Sequence, residues 1–93
     1  MYIEGYDYKP ISTATTTVVK AAPGLLHSVS VNAKGTVAST VTVYDALTAV
    51  GTPIATIDSL NLAGTFTFDA NFSTALTIVT TGTAAPNLTI SYR

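Results

Sequence analysis

His27 is the only imidazole in the chain and cysteine is absent, so nucleophilic catalysis would have to combine His27 with a serine or threonine hydroxyl and a carboxylate. The same scarcity leaves only carboxylates to complete a zinc site and removes disulfides altogether. His27 alternates with Leu25, Val29 and Val31. That places it on the apolar face of a strand, where it reads as a hydrogen-bonded core or interface histidine rather than a catalyst. Asp45, Asp58 and Asp69 each fall near the end of an expected strand, where loops gathered at one end of a sandwich can collect carboxylates around calcium. No loop has the dense Asp/Asn/Gly spacing of a calcium motif, so these read as capping or Asx-turn aspartates. Nothing fixes two of them at the separation that glycoside hydrolysis requires. The six glycines are isolated and none opens a phosphate-cradling helix. Lys9, Lys20, Lys34 and Arg93 are scattered, as ordinary surface charges are. The expectation is a protein that is not an enzyme, with no cofactor and no metal.

The elements that must position these residues are strands. Threonine is unusually common, and with valine and isoleucine it supplies the β-branched residues that lose rotamer freedom in a helix but pack well on a pleated surface. Alternation predicts strands over residues 13–20, 25–32, 37–45, 54–58, 64–69, 75–80 and 87–92. Val41 with Val43, Phe66 with Phe68, Leu76 with Ile78, and Leu88 with Ile90 and Tyr92 form the apolar faces. Glycine, proline and asparagine punctuate the junctions at 22–24, 32–35, 51–53, 61–64, 71–73 and 82–87. The pattern predicts an all-β, single-domain antiparallel β-sandwich or small jelly roll of about seven to eight strands over residues 12–93, with an extended N-terminal arm over residues 1–11. Strand order stays open between jelly-roll and immunoglobulin-like topologies.

At 93 residues and 9.6 kDa there is room for one core, and a domain this small hides only about two-thirds of its unfolded surface. Four basic against five acidic residues exclude an electrostatic nucleic-acid footprint. No apolar run approaches the ~18 residues of a membrane helix. The acidic, tyrosine-rich start lacks the form of an export signal, which leads to the expectation of an unprocessed cytosolic product. Residues 1–11 hold three of the five tyrosines and three of the nine charges. Tyrosine brings large contact area with few torsions to freeze, so Tyr2, Ile3, Tyr6, Tyr8 and Pro10 are expected to contact a partner. The alternative is an edge strand folded back on its own sandwich. With only 10% charged residues, the sheet edges lack the usual defence by charge, which suggests a subunit of a closed cyclic oligomer.

Thr16-Thr17-Val18-Val19-Lys20 followed by Pro23-Gly24-Leu25-Leu26-His27-Ser28-Val29-Ser30-Val31-Asn32 resembles small tailed-bacteriophage virion proteins, chiefly the head decoration, or capsid cement, proteins. Thr42-Val43-Tyr44-Asp45-Ala46, Thr65-Phe66-Thr67-Phe68-Asp69-Ala70 and Leu88-Thr89-Ile90-Ser91-Tyr92-Arg93 extend the likeness over residues 13–93. The resemblance implies a β-sandwich homotrimer that binds the major capsid protein on the outside of an assembled shell and stabilises it, so that the chain is located on the virion. It carries over no site residue, and the tyrosine-bearing arm departs from the pattern. Other readings are a tail-fibre, baseplate or spike module, and a carbohydrate-binding adhesive sandwich in which Tyr44 or Tyr92 stacks on a sugar ring.

Overall fold

The Thr/Val/Ile-rich segments form eight strands among the described residues, which are 5–36, 39–60, 63–82 and 85–93 of the computed structural model. They are β1 (Asp7–Ile11), β2 (Thr16–Lys20), β3 (Gly24–Ala33), β4 (Val41–Asp45), β5 (Pro53–Ile57), β6 (Gly64–Phe72), β7 (Leu76–Thr80) and β8 (Asn87–Tyr92). Tyr2 and Ile3 of the leader, Val37 at an expected strand start, and positions 61, 62, 83 and 84 of expected turns lie outside the described residues.

One sheet has the order β1-β8-β3-β6 and the other β2-β7-β4-β5, with every neighbouring pair antiparallel. The pairs β1/β8, β2/β7, β3/β6 and β4/β5 are those of one long antiparallel ribbon whose tip is the β4–β5 connection. Wrapping that ribbon brings β8 against β3 and β7 against β4. This is the strand order of a jelly roll. An immunoglobulin-like order sets the first strand beside the second, whereas here β1 and β2 lie in different sheets.

The core is the single layer between the sheets. Val41 and Val43, Leu76 and Ile78, and Leu88 and Ile90 are fully buried as the alternation predicts, and Phe72 is the largest side chain among them. Tyr92, Phe66 and Phe68 pack against this layer from its margin. Strand β3 departs from its expected pattern. Its register shifts between Leu26 and Ser28 against both neighbours. The shift exchanges the faces, so Leu26 is buried before it and Val29 and Val31 after it, while Leu25 and His27 are only half-buried. His27 is therefore not on the core face.

The leader is also corrected from Asp7 onward. Residues 7–11, assigned to an arm from the sequence, form β1 and pair with β8 from Asp7↔Tyr92 to Ile11↔Leu88, with Ile11 buried. The folded-back edge strand is what the structure adopts there. The four edge strands are not bare either. β1 carries Pro10, which has no N–H to offer a further strand. β2 is bulged at Val19 and β6 at Phe68–Asp69, and β5 opens on Pro53 and is bulged at Ile54. Bulges and prolines spoil an edge as a template as charge does.

Hydroxyls tie the crossing loops to the sheets. Buried Ser39 and Ser59 hydrogen-bond each other at 2.6 Å, joining the β3–β4 and β5–β6 connections. Thr80 Oγ1 donates to the Thr13 carbonyl and accepts from the Thr15 amide, pinning the β1–β2 connection to β7. Among the described residues no buried side-chain polar atom lacks a partner.

Removing the largest core side chain leaves a cavity in the thin core between the two sheets. Phe72→Ala is expected to cost about 3–5 kcal/mol, most of the stability available to a domain of this size. Urea unfolding followed by circular dichroism tests this, and a loss below about 1 kcal/mol would mean that the layer refills the gap.

Candidate functional site

The bulge that turns His27 away from the core also creates the most concentrated group of chemistry-bearing side chains among the described residues. Between the pairs Leu26↔Ala70 and Ser28↔Thr67, two residues of β6, Phe68 and Asp69, face the single residue His27. Asp69 takes a left-handed conformation with φ 48°, which the short Asp side chain tolerates better than most. Its carboxylate lies 2.5 Å from His27 Nδ1. A carboxylate only accepts, so Nδ1 carries the proton and the ring is held in one orientation. Tyr6, just before β1, stacks on that ring with centroids 4.1 Å apart and planes at 10°. Arg93 sets its guanidinium 5.1 Å from the Tyr6 ring centroid and donates from Nε to the Gly5 carbonyl at 3.0 Å. Its backbone exchanges two 2.8 Å hydrogen bonds with Leu25.

A histidine oriented by a carboxylate is two-thirds of a hydrolytic triad, and the missing part is a nucleophile within hydrogen-bond reach. Among the described residues, no hydroxyl hydrogen-bonds to His27. What the arrangement does is clasp: it holds the segment entering β1 against the outside of β3 and β6. The side chains of His27 and Asp69 are 33% and 57% exposed, so their contact contributes at most about 1 kcal/mol.

The three aspartates singled out in the sequence do not converge. Asp45, at the end of β4, accepts from the backbone amides of Ser73 (2.9 Å) and Thr74 (2.8 Å) and from the Ser73 hydroxyl (3.1 Å), capping the β6–β7 turn. Those amide donors, Ser73 first, hold its carboxyl below the ordinary aspartate value. Asp58 closes an Asx turn onto the Leu60 amide at 3.1 Å. Asp69 serves His27. Among the described residues no three His, Asp or Glu side chains come together as a metal site.

The leader residues chosen from sequence divide. Tyr6 lies flat on His27, whereas Tyr8 and Pro10 stand on the outer face of β1, with Tyr8 71% exposed. Tyr92 packs on the core and Tyr44 is half-buried, so of these rings Tyr8 is the most available to a partner. The clasp itself was not visible beforehand, because the face exchange in β3 involves no glycine or proline. Beside the clasp, Lys20, Gly24, Phe72 and Arg93 border an open groove.

His27→Ala is expected to speed proteolytic cleavage ahead of Asp7 while lowering global stability by no more than about 1 kcal/mol; unchanged cleavage would show that the stack does not hold the segment. Asp45 makes a pH-dependent contribution. Its depressed folded-state value means that the stabilisation is complete above the ordinary aspartate value of about 3.9 and is lost as the pH falls below it. The urea midpoint of Asp45→Ala should therefore lie below that of the natural chain at pH 7, with the gap closing below about pH 4. A gap that persists in acid would assign the effect to geometry instead of charge.

In comparisons with known proteins, the chain matches no protein-family model and no curated protein.

Proposed function

We propose that this protein is a structural virion component, a head decoration module that docks as a homotrimer on the major capsid protein at the outer surface of an assembled phage shell. The observation that carries the reading is the outer face of the β1-β8-β3-β6 sheet. Its cross-strand rows are Tyr8–Ser91–Ser28–Thr67 and Pro10–Thr89–Ser30–Thr65, without a charged residue in either. Ser30 bonds Thr65 and Asn32 bonds Thr89, each at 3.0 Å, so part of the hydroxyl inventory is already satisfied within the face. Contact with another protein then strips little charge of its water, and interface centres are depleted of charge and enriched in tyrosine. The jelly roll is frequent among viral and lectin domains, which supports the reading by analogy of fold.

The mechanism is linkage. A module that binds the assembled shell but not its separate subunits adds its binding free energy to the shell. A trimer engaging three equivalent sites gains avidity that one copy lacks.

Native mass spectrometry is expected to give three times the 9.6 kDa chain mass, and cryo-electron microscopy of particles that carry the protein is expected to place it on the shell. Thr65→Lys puts a charge on an exposed position of the face and is expected to abolish retention on particles with the circular-dichroism spectrum unchanged. A stable monomer, density confined to the tail, or full retention of Thr65→Lys would overturn the reading.

A further inference from the structure

We infer that the loop joining β4 to β5 is an assembly knob, and that the apolar groove beside the clasp is its socket on a second copy of this chain. The inference deepens the docking reading and rests on it for the number of copies in the ring.

The knob is uncharged and pre-shaped. Residues 46–57 contain no Asp, Glu, Lys or Arg. Val50 and Leu47, 64% and 55% exposed, are the two most exposed large aliphatic side chains among the described residues, and neither packs on the core. The Val50 amide donates to the Thr48 carbonyl at 2.9 Å and Gly51 takes a positive φ of 89°, so the tip closes in a tight turn. Its base is pinned by the Thr77 hydroxyl, which donates to the Ala46 carbonyl at 2.6 Å, and by the Asp45 carboxylate on the β6–β7 turn. A loop fixed in this way presents apolar side chains with little conformational freedom left to lose on contact.

The socket has a volume of about 470 Å³, enough to receive several side chains. Pro23, Leu25 and Phe72 give it apolar surface. Gly24 keeps it open, because a Cβ there would come within 2.8 Å of Phe72 Cζ and would collide with the Arg93 carbonyl. The Lys20 ammonium and the Arg93 carbonyl both border Gly24, and the Arg93 guanidinium is engaged by the Tyr6 ring and the Gly5 carbonyl. What the groove offers a partner is its apolar surface.

Lys20 and Asp45 both pair with Leu76, so the groove and the tip that starts at Ala46 flank the start of β7 at one end of the sandwich. Neither Leu47 nor Val50 lines the groove of its own copy. An exposed knob and a complementary socket on the same chain make a heterologous contact. Rotation about an axis through that end gives each tip to a neighbour's groove and closes the ring with none left bare, three copies in the docking reading. A foreign partner would have to supply both a socket for the tip and a knob for the groove.

The test uses the full chain with two variants at exposed positions, Val50→Asp on the tip and Pro23→Asp at the groove. If Pro23→Asp alters the circular-dichroism spectrum, Leu25→Gln takes its place. In native mass spectrometry and sedimentation equilibrium each variant alone is expected to self-associate at least tenfold more weakly than the natural chain, because a charge is carried into an apolar contact. The equimolar mixture holds one intact tip and one intact groove per pair. It is expected to give a two-chain species that cannot grow, and at millimolar concentration the unlabelled groove variant is expected to shift the Gly24, Leu25 and Asn71 amide signals of the isotope-labelled tip variant. Self-association of either variant equal to that of the natural chain, or no shift at those amides in the mixture, would overturn the contact. If the natural chain is a trimer and both variants are trimers too, the contact fails and the docking reading stands. If the mixture pairs as expected but the natural chain is not retained on particles, decoration fails and the contact stands.

Discussion

Two four-stranded sheets face to face enclose one layer of side chains, and that thin layer is the constraint on which the molecule depends. Each strand contributes only one to three side chains to it, so no single element can hold its position by burial alone. The chain therefore needs its crossing loops fixed, and with few charges available it fixes them with hydroxyls. The Ser39–Ser59 pair, Thr80 on the β1–β2 connection, and Thr77, whose hydroxyl donates to the Ala46 carbonyl at 2.6 Å, are small groups that satisfy loop backbone without large desolvation costs. Threonine is common here for two reasons: it favours the pleat, and it ties what lies between the strands.

The same economy shapes the surface. Two edge strands carry a lysine each, Lys9 on β1 and Lys20 on β2, and the margins are further interrupted by geometry, with Pro10, Pro53 and the bulges at Val19, Ile54 and Phe68–Asp69. The shortage of charge thus does not by itself require neighbouring subunits to cover the edges. What the shortage does leave is a broad uncharged face, beside a localised cluster of His27, Asp69, Tyr6 and Arg93 at one end of the sandwich. Both lie on the β1-β8-β3-β6 sheet, the uncharged rows across its strands and the cluster at the end where the segment entering β1 and the residue leaving β8 meet the β3/β6 bulge.

Much of the architecture was legible in the pattern of residues. Alternation at Val41/Val43, Leu76/Ile78 and Leu88/Ile90 identifies the buried faces correctly because those strands are regular over the core. It fails at His27 because one extra residue reverses every face beyond it, and bulges of this kind need no special residue type. It also fails at residues 7–11, where Lys9 and Pro10 argue against a strand locally and only the vacant side of β8 makes one favourable. Strand order was not legible, since the wrapping that brings β8 to β3 joins segments far apart in the chain. The aspartates were read correctly as turn residues at Asp45 and Asp58, whose functions are local to chain ends of strands. Asp69 was not, because its partner is 42 positions away.

The position of β8 between β1 and β3 has a consequence for biogenesis. β8 is an interior member of its sheet and is made after the seven other strands described, so until synthesis has passed Tyr92 β3 keeps one side open and β1 has no partner. Pairings this distant in sequence close slowly, and a chain with an unpaired strand is open to wrong partners until the ribbon has rolled up.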